Sequence, residues 1–532
     1  MKESTMFETP VLNVDIVSYL KQKNSPLDFS QASIAIILAA GHGKRIKSET
    51  SKMLHEIWGV STVKRVAIAA RDGLGATNQV IVVGIKAKEV VDALGKRDHQ
   101  MFVYQEHQRG TGDAVRVAMD VIQKKFKGDV FIFPGDLGLL NAEVVQKFKD
   151  DFLNNDCDMM VLSGMFEGDA NDNYYGRIVR VPMADIAGKN SDTDFGKVIE
   201  IKEHKDILAL RDDLPYKVTY KGRTYAFTKS DLIAIREFNT GVYAFKAKKI
   251  REHINKLKTD NVQGELYLTD LISIFNAHKL TVKSSAAQDN HAVLGFNVKS
   301  VLKEMESFAR KRVFDQLKDI VTVEDASDFF VADEVVKRII ELDKKSGPLD
   351  IYIGKGVFIG REVELSKGVR IHSGARLNGR VMIKDNVRIG ENVHLSTYPN
   401  QTLKIGRGTQ IFKEDIIKGN LEIGEDCYIG SSVNMTGSDE FPTRIGNNVF
   451  VKGTSYVFGS TIEDDIYIEH SVLKCKHVQR TVRTDGTVQA IRYVLPLPEG
   501  LDSIKELHPY PMTYLANPID FSNNDSNSKK KK

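Results

Sequence analysis

The sequence predicts an α/β domain with a mostly parallel sheet, followed by a β-solenoid of six-residue repeats. Three observations lead to this fold class. Strand and helix patterns alternate over residues 32–300, which is typical of a parallel sheet covered by helices. A glycine-rich turn follows the first predicted strand. From Ile351 onwards apolar residues recur at every sixth position, which is typical of a solenoid.

The composition is that of an ordinary soluble globular protein. The chain has 532 residues, of which 42% are hydrophobic and 27% charged, so two or more domains are expected. The net charge of +4 does not indicate a nucleic acid partner. No apolar run is long enough for a membrane span or a secretion signal, so we expect no membrane partner. The three cysteines form no metal-ligand pattern and fit free thiols in a reducing, cytoplasmic setting.

The α/β region is predicted from its elements in order. Residues 1–31 are expected to form a polar N-terminal arm, and residues 32–300 the α/β domain. The predicted strands of this domain are Ile34–Leu38, Val80–Val83 and Asp129–Phe133. The predicted helices between them are Thr62–Arg71 and Ala114–Phe126. Residues 301–345 have apolar positions at helical spacing and predict a helical connector. Ligands of such sheets bind beyond the carboxyl ends of the strands.

The repeat region is predicted over residues 346–484. Two apolar series run through it at a period of six, and each turn of six supplies inward-pointing side chains. The first series is Val357, Val363, Val369, Ala375, Val381, Val387 and Val393. The second is Ile353, Ile359, Leu365, Ile371, Leu377, Ile383, Ile389 and Leu395. Residues 485–532 leave this pattern and predict a C-terminal extension of loop, ending in the basic tail Lys529–Lys532.

The turn after the first strand is a candidate phosphate loop. It reads Leu38-Ala39-Ala40-Gly41-His42-Gly43-Lys44-Arg45. Gly41 and Gly43 let the backbone N–H groups approach a phosphate closely. Arg45 and the later Lys52 are cations that can neutralise a triphosphate. The spacing is neither a dinucleotide fingerprint nor a P-loop, and a simple tight turn is the alternative interpretation.

An acidic residue stands at a second strand end. Gly135 and Asp136 follow the strand Asp129–Phe133. A carboxylate at the carboxyl edge of a parallel sheet, facing a phosphate loop, is suited to hold Mg²⁺. A helix N-cap is the alternative interpretation of Asp136.

These residues and five later segments resemble one enzyme family. The chain is similar to the bacterial N-acetylglucosamine-1-phosphate uridylyltransferases, a bifunctional uridylyltransferase/acetyltransferase family, over about residues 33–480. The segments that carry the resemblance, in order after the loop and Lys52, are 105–112 (QEHQRGTG), 175–180 (YGRIVR), 203–206 (EHKD), 239–243 (NTGVY) and 263–270 (QGELYLTD).

The resemblance implies a Rossmann-like nucleotidyltransferase domain, a left-handed parallel β-helix and a specific set of site residues. UTP and N-acetylglucosamine 1-phosphate would give UDP-N-acetylglucosamine and pyrophosphate, with Mg²⁺ as cofactor. Arg45 and Lys52 would be catalytic. Residues implied to bind the nucleotide are Leu38, Ala39, Ala40, Gly41, Gly43, Gln105, Gly110 and Thr111. Residues implied to bind the sugar phosphate are Gly176, Glu203, Asn239 and Thr269, and Asp136 and Asn297 would bind Mg²⁺.

The chain also departs from the family pattern. The family usually has proline where Ser51 stands, and tyrosine and proline where Pro134 and Gly138 stand. The stretch between Glu203 and Asn239 is longer than in the family and rich in charge. These changes affect the expected sugar specificity more than the expected reaction.

The β-helix lacks the residues with which the family transfers an acetyl group. Asn378 replaces the second arginine of the sugar-phosphate grip, residues 413–417 contain no histidine, and Glu440 replaces a lysine. We therefore expect acetyltransferase activity to be lost. The resemblance still implies a homotrimer formed through the β-helix.

Two alternatives remain open at this point. One keeps the reaction but changes the substrate, to a uridylyl- or thymidylyltransferase for another hexose 1-phosphate. The other is a non-catalytic regulatory or exchange-factor-like subunit. Retention of Gly41, Gly43, Arg45, Lys52 and Asp136 favours an enzyme.

Overall fold

The structure is a computed structural model that describes residues 14–41, 43 and 46–497, with side chains from Ile16 onwards. Arg45, residues 1–13 of the predicted arm and residues 498–532 of the predicted extension lie outside the described residues. The chain divides into two compact units, one ending at Lys345 and the other beginning at Ser346.

The first unit contains a central, mostly parallel sheet, as predicted. The strands of the first unit are β1 (Ser33–Ala39), β2 (Glu56–Ile57), β3 (Val60–Ser61), β4 (Gln79–Val83), β5 (Gln100–Tyr104), β6 (Asp129–Pro134), β7 (Met159–Met165), β8 (Arg177–Arg180), β9 (Val198–Lys202), β10 (Tyr216–Tyr220), β11 (Arg223–Phe227), β12 (Glu237–Lys246), β13 (Val282–Ala286), β14 (Thr322–Val323) and β15 (Phe330–Val331). The sheet order is β13-β7-β12-β6-β1-β4-β5. Along this order β12 runs antiparallel between β6 and β7, while the other neighbours are parallel. At one side of the sheet β8 pairs antiparallel with both β12 and β9.

Helices cover both faces of this sheet. They are α1 (Val14–Lys23), α2 (Thr62–Leu74), α3 (Ala87–Leu94), α4 (Thr111–Asp120), α5 (Ala142–Asn154), α6 (His204–Leu208), α7 (Lys229–Ala234), α8 (Ala247–His253), α9 (Leu271–Ala277), α10 (Lys299–Leu317) and α11 (Asp333–Ser346). Alternate side chains of β1 enter opposite cores. Ile37 packs with α2, α3 and α5, whereas Ile36 packs with α4, α8 and α9. The strand therefore reads as a continuous apolar run because both of its faces are buried.

Local sequence explains where several helices begin and end. Asn141 caps α5, and its side-chain oxygen accepts a hydrogen bond from the Val144 N–H at 2.9 Å. Gly75, with φ of 60°, ends α2 in the left-handed conformation that glycine adopts readily. The predicted helix Ala114–Phe126 is wrong at its end, because α4 stops at Asp120. Ile122 and Phe126 are nevertheless buried, because the turns after Asp120 also direct apolar side chains into the core. Their spacing in the sequence is therefore the same as in a helix.

The long stretch between Glu203 and Asn239 forms a small layer with its own core. It contains α6, the antiparallel hairpin β10–β11 and α7. Buried side chains of this layer pack against β8 and β9, and they are Ile207, Val218, Tyr220, Tyr225 and Leu232. Apolar residues hidden in a charge-rich segment therefore fold it into an ordered element next to Glu203.

The second unit is the left-handed parallel β-helix, with three sheets. The first sheet contains β16 (Tyr352–Ile353), β19 (Arg370–Ile371), β22 (Arg388–Ile389), β25 (Gln410–Ile411), β28 (Tyr428–Ile429), β31 (Phe450–Val451), β34 (Tyr467–Glu469) and β37 (Ile491–Arg492). The second contains β17 (Phe358–Ile359), β20 (Arg376–Asn378), β23 (His394–Ser396), β26 (Ile416–Gly419), β29 (Asn434–Gly437), β32 (Tyr456–Phe458) and β35 (Val472–Lys474). The third contains β18 (Glu364–Leu365), β21 (Val381–Ile383), β24 (Leu403–Ile405), β27 (Leu421–Ile423), β30 (Thr443–Ile445), β33 (Thr461–Ile462) and β36 (His477–Val478).

The six-residue period sets the register of this unit. Tyr352 pairs with Arg370 one coil later, and Phe358 with Arg376, so three hexads make one coil. Both apolar series of the repeat are buried along the interior, except Leu365, which is half-buried. A longer loop before β24 shifts the next pairing, so that Val381 pairs with Leu403. The interruption of the hexads before Ile405 is therefore an insertion in one coil.

One element lies where the sequence predicted only loop. β37 (Ile491–Arg492) pairs in parallel with β34, although it follows residue 485. A two-residue strand has no neighbouring hexad to mark it, so the repeat pattern could not indicate it. Among the described residues no helix is both long enough and apolar enough to cross a membrane.

Candidate active site

One cavity of about 500 Å³ lies in the first unit, at the end of β6. It gathers side chains from segments that are far apart in the sequence. Its lining residues are Lys52, Pro134, Asp136, Leu137, Tyr174, Tyr175, Gly176, Glu203, His204, Lys205, Leu208, Asn239, Thr240, Gly241, Gln263, Gly295 and Asn297. Six of the residues singled out from the sequence are among them, namely Lys52, Asp136, Gly176, Glu203, Asn239 and Asn297.

Lys52 lies deep in the wall of this cavity and is 8% exposed. Its ammonium forms an ion pair with the Asp136 carboxylate. It also donates a hydrogen bond to Asn297 Oδ1 at 2.9 Å. Gly43 approaches its stem closely, since a Cβ at Gly43 would lie 2.6 Å from Lys52 Cβ. With φ of 74° as well, this position of the loop favours glycine.

A glycine and a tyrosine hold the segment before Asn297 against Asp136. Gly295 approaches so closely that its Cβ would lie 3.3 Å from Asp136 Oδ2. The Tyr175 hydroxyl donates to the Gly295 carbonyl at 2.7 Å. The Tyr175 ring stacks on Phe238 of β12 at 4.6 Å between centroids. These contacts bring Asn297 and Asp136 to one point although they lie on different elements.

The donors at this point fit a divalent metal of the Mg²⁺ type. A carboxylate oxygen of Asp136 and the amide oxygen of Asn297 both contact the Lys52 ammonium. The two oxygens therefore face one position that already holds a positive charge. Mg²⁺ prefers oxygen ligands and is commonly held by one or two carboxylates together with substrate phosphates. Within the described part of the chain, no three His, Cys, Asp or Glu side chains group closely enough to hold a metal ion. Substrate oxygens would therefore have to complete the ligand set.

Glu203 forms another wall of the cavity. Its pKa is raised to about 7. Burial is the main cause, and the nearby carboxylates of Asp206, Asp270 and Glu265 contribute in the same direction. Gly176 lies against it, because a Cβ there would come within 3.2 Å of Glu203 Oε1. The wall is thus a carboxyl group that is close to half protonated at neutral pH.

A bulge in β12 presents Asn239 beside Gly176. The pairing of β12 with β7 shifts its register between Asn239 and Tyr243. The Asn239 N–H donates to the Gly176 carbonyl at 2.8 Å, and its Oδ1 accepts from the Tyr243 hydroxyl at 2.9 Å. Gly241, with φ of 79°, packs on Pro134, whose Cγ would be 2.7 Å from a Cβ at that position. The departure from the family pattern at Pro134 is therefore matched by a glycine opposite it.

The outer wall contains residues that the sequence analysis did not single out. Tyr174 is 66% exposed and Leu208 is 51% exposed, and both line the cavity. The Tyr174 and His204 rings meet edge to face at 5.3 Å between centroids. Burial and the charge of Arg177 lower the pKa of His204, so its ring is neutral at pH 7. Tyr174 precedes the matched segment 175–180, and His204 lies within the matched segment 203–206, which was the available signal.

The phosphate loop and the segment after β5 meet at a second place on the same sheet edge. A Cβ at Gly84, just after β4, would lie 2.8 Å from both the Ala40 carbonyl oxygen and Gln108 Nε2. The Leu38 carbonyl accepts from the Gly135 N–H at 2.9 Å, which ties β1 to the segment carrying Asp136. Ala39 is buried, and Gly41 is exposed with open space around it. The described residues of the loop, which are Leu38, Ala39, Ala40, Gly41 and Gly43, are not among those that line the cavity described above.

Gln105, Gly110 and Thr111 form a compact turn at this second place. Gln105 Nε2 donates to Asp113 Oδ2 at 2.9 Å and to the Gly110 carbonyl at 3.3 Å. Gly110 has φ of 108° and lies against Leu266, whose carbonyl oxygen would be 2.6 Å from a Cβ there. Thr111 Oγ1 accepts from the Leu268 N–H at 3.1 Å. The two matched segments 105–112 and 263–270 are thus joined by backbone contacts.

Two predicted site residues remain, Arg45 and Thr269. Arg45 lies outside the described residues. Thr269 is 5% exposed, does not line the cavity, and its Oγ1 is buried without a hydrogen-bond partner among the described residues. Ser51, which stands where the family has proline, likewise has a buried hydroxyl without a partner there.

A family comparison assigns the first unit to a class. Residues 35–219 match the family model of the MobA-like NTP transferase domain. The phosphate loop, the Asp136 segment and the turn at Gln105 all lie within this match. This part of the first unit is therefore similar to a nucleotidyltransferase domain.

The curated relatives are more particular. The chain is similar to the bifunctional protein GlmU of Exiguobacterium sibiricum (32% identity, 57% of this chain, 59% of that protein), of Streptomyces griseus (32%, 55% and 54%) and of Clostridium tetani (32%, 61% and 62%). These matches confirm the resemblance, and the chain spans about three fifths of the length of these relatives. A solved structure of a putative glucose-1-phosphate thymidylyltransferase from Bacillus anthracis, in complex with sucrose, covers 52% of this chain and 96% of its own. Its identity is 18% and its TM-score 0.37.

Proposed function

We propose that this protein transfers a uridylyl group from UTP to N-acetylglucosamine 1-phosphate and releases pyrophosphate. One observation carries the proposal: Lys52, Asp136, Gly176, Glu203, Asn239 and Asn297 line one cavity. They come from separate segments that resemble one enzyme family in the same order. The nucleotidyltransferase domain supplies the reaction type.

The chemistry requires positioning more than covalent help. A phosphate oxygen of the sugar phosphate attacks the α-phosphorus of UTP in line, a new P–O bond forms, and pyrophosphate leaves. Two anions must be held together while negative charge builds up. The backbone N–H groups at Gly41 and Gly43, together with the cations Arg45 and Lys52, are the groups proposed to do this.

Asp136 and Asn297 are the residues proposed to hold Mg²⁺. The convergence of their oxygens on one cation position supports this assignment. When bound, Mg²⁺ would neutralise phosphate charge. Lys52, which now bonds both residues, would share that task from the same side of the cavity.

Glu203, Asn239 and Gly176 are proposed to bind the sugar, and the same role for Thr269, which does not line the cavity, rests on the matched segment alone. A carboxylate accepts hydrogen bonds from sugar hydroxyls, and an amide both donates and accepts. The bulge at Asn239 and the close approach of Gly176 to Glu203 support a shaped wall of this kind. N-acetylglucosamine 1-phosphate is the sugar that the matched segments favour.

The β-helix is proposed to lack acetyltransferase activity and to join three copies of the chain. In the described region Arg376 lies over the Phe358 ring at 4.7 Å, and Glu440 is exposed. His372, His394, His470 and His477 are each exposed or half-buried, which gives none of them the enclosed setting of a general base. Sedimentation velocity of the full chain tests the trimer. We further propose a cytoplasmic location, where nucleotide triphosphates are available.

Pyrophosphate release tests the reaction. Purified full-length protein would be assayed with UTP or dTTP and a panel of hexose 1-phosphates, with and without Mg²⁺. We expect release with UTP and N-acetylglucosamine 1-phosphate, dependence on Mg²⁺, and loss of release in Asp136→Ala. Absence of release with every pair would reject the proposal and favour a non-catalytic regulatory subunit. Release with another sugar alone would correct the substrate and keep the reaction.

A further inference from the structure

A buried carboxylate holds the Gln105 side chain in one orientation. Asp113, in the first turn of α4, is 4% exposed, and Gln105 is 3% exposed. Gln105 Nε2 donates to Asp113 Oδ2 at 2.9 Å, and the other Asp113 oxygen forms an ion pair with Arg116. The sequence analysis singled out Gln105 but not Asp113.

The partners of the amide decide which of its ends points where. A carboxylate and a backbone carbonyl only accept hydrogen bonds, and both Asp113 and Gly110 face the same end of the Gln105 amide. That end must therefore be the NH₂ group. Gln105 Oε1 is left as the end that faces away from Asp113, and it presents an acceptor.

Asp113 is itself held by charge. The Arg116 guanidinium lies one helical turn further along α4. The start of a helix also favours a negative side chain, because the backbone N–H groups there are unpaired. Rotating the Gln105 amide by 180° would set its oxygen against this carboxylate, with two acceptors facing each other and no hydrogen between them.

We infer that Asp113 is a positioning residue that makes the site prefer uracil or thymine over cytosine. The inference rests on the proposed function and on the expectation that Gln105, one of the residues implied to bind the nucleotide, contacts its base. Uracil and thymine present a ring N–H donor, which an amide oxygen accepts. Cytosine presents a ring nitrogen acceptor at the same position, which would need the NH₂ end of the amide. Because Asp113 holds the NH₂ end of Gln105, the cytosine ring nitrogen would face the amide oxygen instead. Two acceptors then meet with no hydrogen between them, and such unpaired buried polar groups weaken binding strongly.

Nucleotide binding tests the inference without requiring turnover. Isothermal titration calorimetry of the full chain with Mg²⁺ and either UTP or CTP gives a preference ratio. We expect the wild-type protein to bind UTP about 10- to 100-fold more tightly than CTP. In Asp113→Asn the ratio should fall by about three- to tenfold, because an asparagine amide can donate as well as accept and no longer excludes the rotated Gln105, while the Gly110 carbonyl still accepts from its NH₂ end.

Arg116→Gln is the matched control. It removes the ion pair with Asp113 but keeps the bond between Asp113 and Gln105, so the ratio should stay near the wild-type value. An unchanged ratio in Asp113→Asn, or an equal loss in Arg116→Gln, would overturn the inference. So would wild-type protein that binds UTP and CTP equally or binds neither. A protein that shows the preference but releases no pyrophosphate would reject the proposed function and keep this inference.

Discussion

The Lys52 ammonium forms an ion pair with Asp136 and also donates to Asn297, so one cation holds both proposed metal ligands. Lys52 lies 84 residues before Asp136 and 245 before Asn297 in the chain. Its charge lies where the two oxygens converge, and its stem is confined by Gly43. A divalent cation and Lys52 therefore compete for the same oxygens.

Replacing Lys52 by methionine should strengthen metal binding in the absence of nucleotide. Lys52→Met removes a competing charge and keeps the buried stem, so Mn²⁺ affinity should rise by about tenfold or more. The pyrophosphate release rate should fall by about 10²–10⁴ with saturating metal, because a phosphate-neutralising cation is lost. Electron paramagnetic resonance of free Mn²⁺ measures the first effect.

Lys205→Met is the matched control for Lys52→Met. Lys205 lines the same cavity but bonds to Gln263 Oε1 at 2.6 Å, away from Asp136. The variant Lys205→Met should leave the Mn²⁺ affinity within about twofold of wild type, since the charge of the exposed Lys205 is well screened. A gain in affinity that persists in Lys52→Met combined with Asp136→Asn would show that Asp136 is not the ligand.

The Michaelis constant for the sugar phosphate should fall as pH rises from 6 to 8. The pKa of Glu203 is raised to about 7 by burial and by neighbouring carboxylates, so Glu203 gains its charge in this range. If only the carboxylate accepts the sugar hydroxyls, the fall should be about tenfold over these two pH units. Steady-state kinetics at a series of pH values measures it.

Glu203→Gln separates this effect from titration of the substrate. The phosphate group of the sugar loses its second proton near pH 6, and that contribution remains in the variant. The pH profile of Glu203→Gln should therefore be flatter than that of the wild type and higher in Michaelis constant. Parallel profiles would place the titrating group elsewhere.

Asp415 should make the β-helix less stable at alkaline pH. It is fully buried; its Oδ1 accepts from the Val433 N–H at 2.7 Å, and its Oδ2 has no partner among the described residues. Burial raises its pKa from the ordinary 3.8 to about 8. Between these values the folded chain keeps a proton that the unfolded chain has released, so stability falls as pH rises.

Asp415→Asn should remove this pH dependence. The amide has the shape of the protonated acid and keeps the oxygen that Val433 bonds. We expect stabilisation on the order of 1–3 kcal/mol at pH 9 and little change at pH 5. Thermal unfolding of both proteins across this range measures the difference. An effect that does not grow with pH would contradict the buried-charge explanation.

Asn24→Ala should destabilise the first unit by exposing the edge of its sheet. Asn24 imitates a strand beside β5, since its Oδ1 accepts from the Phe102 N–H at 2.7 Å and its Nδ2 donates to the Phe102 carbonyl at 3.2 Å. Loss of this pair leaves backbone groups unpaired and should cost about 1–3 kcal/mol. Denaturant unfolding measures the loss. Asn171→Ala, which removes only the exposed bond that Asn171 Nδ2 donates to Asp169, should change stability by less than about 0.5 kcal/mol.

Elements with a strong local period were predicted closely. β1 was expected at Ile34–Leu38 and spans Ser33–Ala39, and α2 begins at Thr62 as expected. The end of α4 and the antiparallel direction of β12 were not predicted. Both depend on contacts with distant segments, such as the packing of Ile122 and the pairing of β12 with β6 and β7.

The sequence by itself determined the β-helix, because a strict six-residue period allows only one way to bury both apolar series. It also determined the order of the matched segments and therefore the class of reaction proposed. Only the tertiary structure decided the partners of the charged and polar groups. The sequence did not indicate that Lys52 bonds Asp136 and Asn297, or that Asp113 fixes Gln105. The physical reason is that a period in the sequence reports burial along one element. The partner of a buried charge is set by which distant elements the fold brings together.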